Sequence, residues 1–310
     1  MPRWWDPPRD VRALVGFGTR HTLSTQDDPD RGIGGARDYT GDQFEQIART
    51  AGGRMTVALD SYVQEPASRI PVPTRITNVV AALRGTDPSS ADRVCVVGGH
   101  YDSRVTDVLN ATSDAPGAND DESGPSAVLE LARVLAERPT EATIKYVAVQ
   151  GVLNMDIIGS PVGGNGVRSP HTIRLFSEGV PTAETAAETA RRQAIGVDFR
   201  YLARVTRVVA SSLAALARSP RAPGTARVIS ANLTYDTELR WNADPEAAIA
   251  GYEIVGRDST SPVWEHVRRV GNVTGATIKN LDKDDNQVGV RAIDRDGNRS
   301  PVAYPIPASQ

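Results

Sequence analysis

Val94-Cys-Val-Val-Gly-Gly-His-Tyr-Asp-Ser103 passes directly from apolar residues into a cluster of polar, chemically capable ones, and the fold is read outward from it. Val94–Gly98 is apolar at consecutive positions, the pattern of a strand buried on both faces. Beyond it, Val128, Leu131, Ala132 and Leu135 recur at helical spacing and predict a helix from about Ser126 to Glu137. Thr143–Val149 and Val152–Ile158 then read as strands, as do Met55–Tyr62 and Ile76–Leu83 upstream. Strands alternating with helices predict an α/β layer fold. Asp10 to Gly53 reads as a helical lead-in, with Val11, Leu14 and Val15 first, then Phe44, Ile47 and Ala48, and Gly52-Gly53 as its stop. Further on, Ile173–Phe176 reads as a short strand and Ala183–Ala194 as a helix. Phe199–Arg218 reads as a long helix covering the sheet, with Leu202, Val205, Val209, Leu213 and Leu216 on one stripe.

Ser219-Pro-Arg-Ala-Pro-Gly224 has the composition of a linker, and the texture changes after it. Seven short segments follow, Val228–Leu233, Glu238–Asn242, Tyr252–Gly256, Trp264–Val270, Ala276–Leu281, Val288–Ile293 and Val302–Ile306, separated by turn residues. That rhythm predicts a small antiparallel β-sandwich. The expected organisation is therefore a first domain over 1–219, a linker over 220–225 and an all-β domain over 226–310. His266, beside Trp264, reads as a surface residue without a function.

Charge and composition narrow the function classes. Thirty-five Lys and Arg against 38 Asp and Glu leave a net charge of −3, so no overall field would draw the chain to nucleic acid or an anionic membrane. No apolar run approaches the roughly 20 residues that span a bilayer. The start, Met1-Pro-Arg-Trp-Trp-Asp-Pro-Pro8, has no apolar stretch of a secretory signal, which leaves the compartment open. One cysteine, Cys95, excludes an internal disulfide framework and a cysteine-based zinc cluster. Any metal must be held by histidine and carboxylates.

Three segments supply such groups: Gly99-His-Tyr-Asp-Ser103, Gly117-Ala-Asn-Asp-Asp-Glu-Ser-Gly124 and Asn154-Met-Asp-Ile-Ile-Gly159. Each falls at the C-terminal end of an expected strand or just after it, where open α/β sheets place their ligands. His100 offers an imidazole nitrogen, and Asp120 and Asp156 offer hard oxygens, a mixture suited to zinc. Asp102, two residues beyond His100, is placed to orient the imidazole, as carboxylates commonly do for metal-bound histidines.

Taken together, these segments resemble the bacterial leucyl aminopeptidase-like family of zinc exopeptidases over most of residues 10–220. The resemblance implies a mixed sheet flanked by helices, with His100 and Asp156 on one zinc, Asp120 bridging two zincs and Asp102 supporting His100. It implies hydrolysis of the first peptide bond of a peptide or protein N-terminus, with the metals acting as Lewis acids and activating water. Gly18-Thr-Arg-His-Thr22 and Arg174-Leu-Phe-Ser-Glu-Gly179 also look like its multidomain members, and His21 and Glu178 read there as structural. Such members often end in a fibronectin type III module, which residues 226–310 resemble through Leu239-Arg-Trp241, Gly251-Tyr-Glu-Ile254 and Val290–Pro301. At Asn286 an anchoring tyrosine would be usual.

The chain departs from that family in two places. The family carries a Glu-Glu pair, general base and second-zinc ligand, shortly after the strand matching Thr143–Val149. Here Gln150-Gly151 joins one expected strand to the next, too short for the crossover of a dozen or more residues that parallel strands require. After Arg192-Gln-Ala-Ile-Gly196 the segment bearing the family's last zinc-binding histidine is also missing. His171 is in a position that the family does not use. Asp121 and Glu122 read as an exposed acidic turn rather than as substitute bases. The expectation is an internally deleted zinc aminopeptidase that keeps at most one zinc and turns over weakly, or a non-catalytic relic with a residual metal site.

Overall fold

The computed structural model describes residues 7–67, 69–90, 92–148, 197–229, 235–243, 249–261, 263–282 and 286–308. Asp156, His171, Glu178, Gln150-Gly151, the expected strands Val152–Ile158 and Ile173–Phe176 and the expected helix Ala183–Ala194 lie outside these. Two compact units are distinguished, one drawn from Met1–Gly85, Val94–Pro139 and Thr143–Leu213, the other from Thr86–Arg93, Thr140–Ala142 and Ala214–Gln310.

The first unit begins with helices α1 (Pro7–Gly16) and α2 (Gly32–Ala48) and continues through strands β1 (Met55–Gln64), β2 (Thr74–Leu83) and β3 (Val94–Gly99). Helix α3 (Ser123–Leu135) and strand β4 (Thr143–Ala148) follow. The sheet runs β1-β2-β4-β3. β1 pairs antiparallel with β2, from Met55 opposite Leu83 to Gln64 opposite Thr74, and β2 pairs antiparallel with β4. β3 and β4 are parallel, in register from Val94 opposite Thr143 to Gly99 opposite Ala148, with α3 as their crossover. The sheet is thus mixed, as expected. α2 packs on β1 and β2, and α3 on β3 and β4. Phe44 of α2 and Leu129 and Leu131 of α3 are buried, as are Val79 and Leu83 of β2 and Ile144 and Tyr146 of β4.

Three details differ from the sequence reading, each for a local reason. The helical lead-in is broken between Gly16 and Gly32, because Gly18 takes φ 69° and turns the chain back into the fold. α3 starts at Ser123, three residues before the expected Ser126, since a proline in the first helical turn has no N–H that the helix needs. Val94 is 47% exposed and burial begins only at Val97, so β3 is covered on both faces at its C-terminal end alone.

At that end β3 meets the start of α3 backbone to backbone. A Cβ on Gly99 would lie 2.7 Å from the carbonyl carbon of Gly124 and 2.8 Å from the nitrogen of Pro125. Gly99 therefore lets the helix start close over the strand end that carries His100. Helix α4 (Phe199–Arg218) has the bounds expected for it and buries Leu202 and Leu213. Among the described residues no helix is long and apolar enough to cross a membrane.

The second unit holds strands β5 (Arg227–Ile229), β6 (Thr237–Arg240), β7 (Ile249–Asp258), β8 (His266–Gly271), β9 (Gly275–Ile278), β10 (Asn286–Asp294) and β11 (Ile306–Pro307). They form a three-stranded sheet, β10-β7-β8, and a four-stranded sheet, β11-β5-β6-β9. Leu239, Trp241, Tyr252, Ile254, Leu281, Val288, Val290 and Ala292 make one core, with the Trp241 and Tyr252 rings 5.4 Å apart at 60°. All pairings are antiparallel except β11 with β5, which run parallel because the last strand returns along the free edge of β5. Asn286 makes an anchor of its own: its side-chain amide donates to the carbonyl of Asp282 at 2.9 Å. His266 is exposed, as expected. The proline-rich tract is held down, since Arg221 pairs with Asp92 at 2.5 Å and Arg93 donates to the Ser219 carbonyl.

On the other face of β7, Glu253 stands directly between Arg291 of β10 and Arg269 of β8. Its carboxylate receives Arg291 at 2.8 Å and Arg299 at 3.0 Å, with Arg269 at 3.6 Å. Burial would raise this carboxyl, but the hydrogen bonds from Arg299 and Arg291 prevail and hold it below the ordinary carboxylate range.

Two stability measurements follow from this packing. Gly99→Ala should lower stability by roughly 1–3 kcal/mol, because backbone on both sides must move apart; a thermal midpoint equal to wild type would contradict the close approach. Glu253→Gln should cost roughly 1–3 kcal/mol at neutral pH. Because the folded-state value is depressed, the Glu253 contribution is present above the ordinary carboxylate range and is lost as pH falls through the folded value. The difference between wild type and variant should therefore shrink in acid, and a difference independent of pH would refute the pairing.

Candidate metal centre

The parallel strand β3 delivers His100 to the mouth of the sheet, and the loop entering α3 delivers Asp120 to meet it. Nε2 of His100 lies 3.1 Å from Oδ1 of Asp120. On the other side of the ring, Nδ1 lies 2.9 Å from Oδ1 of Asp102. Burial would raise the Asp102 carboxyl, but the hydrogen bond and charge of His100 and the charge of Arg20 hold it below the usual carboxylate range. Asp102 is therefore an anion at neutral pH, and it keeps the proton of the imidazole on Nδ1. Nε2 is then an acceptor facing another acceptor. Two such atoms at 3.1 Å repel unless a proton or a cation lies between them, and two donors on one tetrahedral zinc at about 2.0–2.1 Å sit roughly 3.3 Å apart. The donor set and its spacing fit zinc.

The loop that carries Asp120 is rigidly built. Gly117 takes φ 51°, and a Cβ there would come within 2.7 Å of the Asp120 carbonyl oxygen. The Glu122 N–H closes the turn onto the Gly117 carbonyl at 3.1 Å. The Asp120–Asp121 peptide bond is cis. Tyr101 ties the other arm of the site to β2 through its hydroxyl, which donates to the Thr77 carbonyl at 2.5 Å.

The reading of Asp121 and Glu122 as an exposed acidic turn is overturned, because both are fully buried. Asp121 accepts the backbone N–H of His100 at 3.2 Å and that of Gly124 at 2.9 Å, so it joins the strand end to the first turn of α3. A negative charge at a helix N-terminus is also favoured by the helix dipole. Glu122 forms an ion pair with Arg20, which is itself wholly buried. Burial pushes the Arg20 guanidinium down to about 9, against the pull of Asp102, and it remains charged at neutral pH. Both carboxylates are thus engaged by buried partners and not by solvent.

His21 is a satisfied structural residue. Its Nδ1 accepts the Leu23 N–H at 3.0 Å and its Nε2 donates to the Val108 carbonyl at 3.0 Å. Of the expected ligands, the structure brings His100 and Asp120 together with Asp102 behind them, whereas Asp156 lies outside the described residues. Among the described residues no cluster of three or more His, Cys, Asp or Glu assembles a complete metal site. The sequence assigns Arg20 no role of its own; it stands inside Gly18-Thr-Arg-His-Thr22, where only His21 is read, as structural.

The model of peptidase family M28 matches residues 78–151, from within β2 through β3, the Asp120 loop, α3 and β4. A protein of Leptosphaeria maculans named "Probable zinc metalloprotease" is 35% identical, over 96% of this chain and 93% of that protein. Another of that name, from Pyricularia oryzae, is 36% identical over 97% of this chain and 83% of its own length. The alignment with the first extends over 404 positions against the 310 residues of this chain, so at least 94 residues of that relative (404 less 310) have no counterpart here. Among solved structures, a Zn-dependent exopeptidase from Parabacteroides distasonis is similar over 56% of this chain and 50% of its own, at 16% identity and a TM-score of 0.35. With the motif-bearing core matched by the family model and whole-length relatives above 30% identity, this chain belongs to peptidase family M28.

Proposed function

We propose that the chain is a zinc metallopeptidase of aminopeptidase type by descent, one that retains half of its metal centre and whose turnover is impaired. The observation that carries this is the facing of His100 Nε2 and Asp120 Oδ1 at 3.1 Å, with Asp102 on the far side of the ring. His100 and Asp120 would hold a zinc ion, with Asp156 as the third ligand. Zinc bound there supplies Lewis acidity toward a peptide carbonyl and lowers the pKa of water. The chain itself contributes orientation: Asp102 fixes the tautomer of His100, and Asp121 fixes the strand end that presents it.

Impairment follows from what surrounds that half-site. Asp121 and Glu122, the acidic residues next to Asp120, are already engaged with backbone N–H groups and with Arg20. The Glu-Glu pair of the family has no equivalent after β4, and its last histidine has none either. General base catalysis commonly contributes roughly 10²–10⁴-fold, and a second metal adds several kcal/mol of charge stabilisation. The substrate class is a peptide with a free N-terminus. We read the second unit as a fibronectin type III-like module, supported by its three- and four-stranded sheets around one core and by the corner bond of Asn286.

Two measurements decide the proposal. In a zinc titration the chain should bind at most one equivalent, and His100→Ala and Asp120→Ala should each abolish it; two tightly held zincs, or binding that survives both substitutions, would defeat the ligand assignment. With saturating zinc, hydrolysis of an aminoacyl chromogenic substrate should be absent or at least about 10²-fold below that of an intact enzyme of the family. Ordinary turnover abolished by Asp120→Ala would show that another carboxylate serves as base and would overturn the impairment.

A further inference from the structure

A fully buried guanidinium must place its donors on acceptors or leave a charge unsatisfied in a medium of low dielectric. Arg20 places its donors on the two segments that carry the metal-facing side chains. Nε donates at 3.1 Å to the carbonyl of Tyr101, the residue between His100 and Asp102. Nη2 donates at 3.2 Å to the carbonyl of Pro116, next to the Gly117 turn, and pairs with Glu122, two residues beyond Asp120. Nη1 reaches back to the Leu14 carbonyl in α1 at 2.8 Å. The main chain repeats the connection: the Arg20 N–H donates to Ser103 Oγ at 3.2 Å, the Ser103 N–H to the Arg20 carbonyl at 3.2 Å, and Ser103 Oγ to the Ala115 carbonyl at 2.7 Å. One side chain thus spans the β3 terminus and the Asp120 loop.

We propose that Arg20, with Glu122 as its counter-ion, is a positioning residue of the metal centre that sets the distance between His100 and Asp120. This rests on the zinc reading of those two residues. Arg20 touches neither facing atom, so its effect is on geometry: it holds the Tyr101 carbonyl and the Pro116–Glu122 turn in one frame. Lysine would keep the charge but not the fork, because a single ammonium cannot reach carbonyls on three different segments together with a carboxylate. The fit of the frame is close enough that a Cβ at Gly117 would come within 2.8 Å of Nη2 of Arg20.

The test uses the full-length chain, Co(II) as a spectroscopic stand-in for zinc, and Zn(II) by competition. The variants are His100→Ala, Arg20→Lys, the double Arg20→Met with Glu122→Met, and the surface control Arg75→Met. Removing both members of a buried ion pair orphans no charge, but it takes the Arg20 donors from the Leu14, Tyr101 and Pro116 carbonyls, so the double variant should fold and melt below wild type in the absence of metal. It should also bind Co(II) roughly 10- to 100-fold more weakly, the usual cost of losing support behind metal ligands, with a changed visible spectrum. Arg20→Lys should fall between, and Arg75→Met should match wild type. A purely structural Arg20 would move the melting point and leave metal affinity alone. Wild-type Co(II) affinity and spectrum in the folded double variant would overturn the inference; should that variant not fold, wild-type affinity in Arg20→Lys would do so. Equal binding by wild type and His100→Ala would defeat the zinc reading itself, and the role of Arg20 with it.

Discussion

Two lone pairs, on Nε2 of His100 and on an oxygen of Asp120, face each other at 3.1 Å, and they remain there only with a positive charge between them. On the zinc reading proposed above, that charge would be the metal ion. Everything around the pair restrains it. Asp102 holds the ring from behind, Asp121 ties the strand end to the helix start, and the Gly99 contact brings that helix start close enough for the tie to form. The site is a product of backbone approach first and of side-chain identity second.

That order explains what could be read from the sequence. The convergence of His100, Asp102 and Asp120 is legible in the sequence because strand ends in α/β sheets are where polar side chains collect. The strands β1 to β4 and the helix α4 were legible through periodicity, since a buried face leaves a repeating apolar trace. The two-sheet character of the second unit was legible in the spacing of its turns. Arg20 left no such trace. A buried charge has no period, and the turn from α1 into the loop that carries it depends on a single glycine in the left-handed region at Gly18.

Burial of Asp121 and Glu122 was illegible for a related reason. Asp120-Asp-Glu122 reads as a solvated acidic run, because sequence shows the charges and not the N–H groups and guanidinium that neutralise them. Val94 departs in the opposite direction: its apolar side chain predicts burial, and the near end of β3 lies open. In both cases what decides is a partner distant in the chain. Arg20 and Glu122 are 102 positions apart, a separation no local pattern spans.

The metal-facing atoms themselves come from one short tract. From Gly99 to Glu122 the chain makes a strand end, a loop and the entry to a helix, and among the described residues its long-distance support includes the early Gly18–His21 loop, Arg31 and the strands β2 and β4. Contacts of low sequence separation form early and survive changes elsewhere. A gene that loses coding segments downstream of β4 removes catalytic partners without touching this tract. On the zinc reading proposed above, the capacity to hold a metal and the capacity to use it are inherited separately, and the first can outlast the second. The same separation runs in reverse: a lineage that regained the missing segments would meet a half-site still organised to receive them.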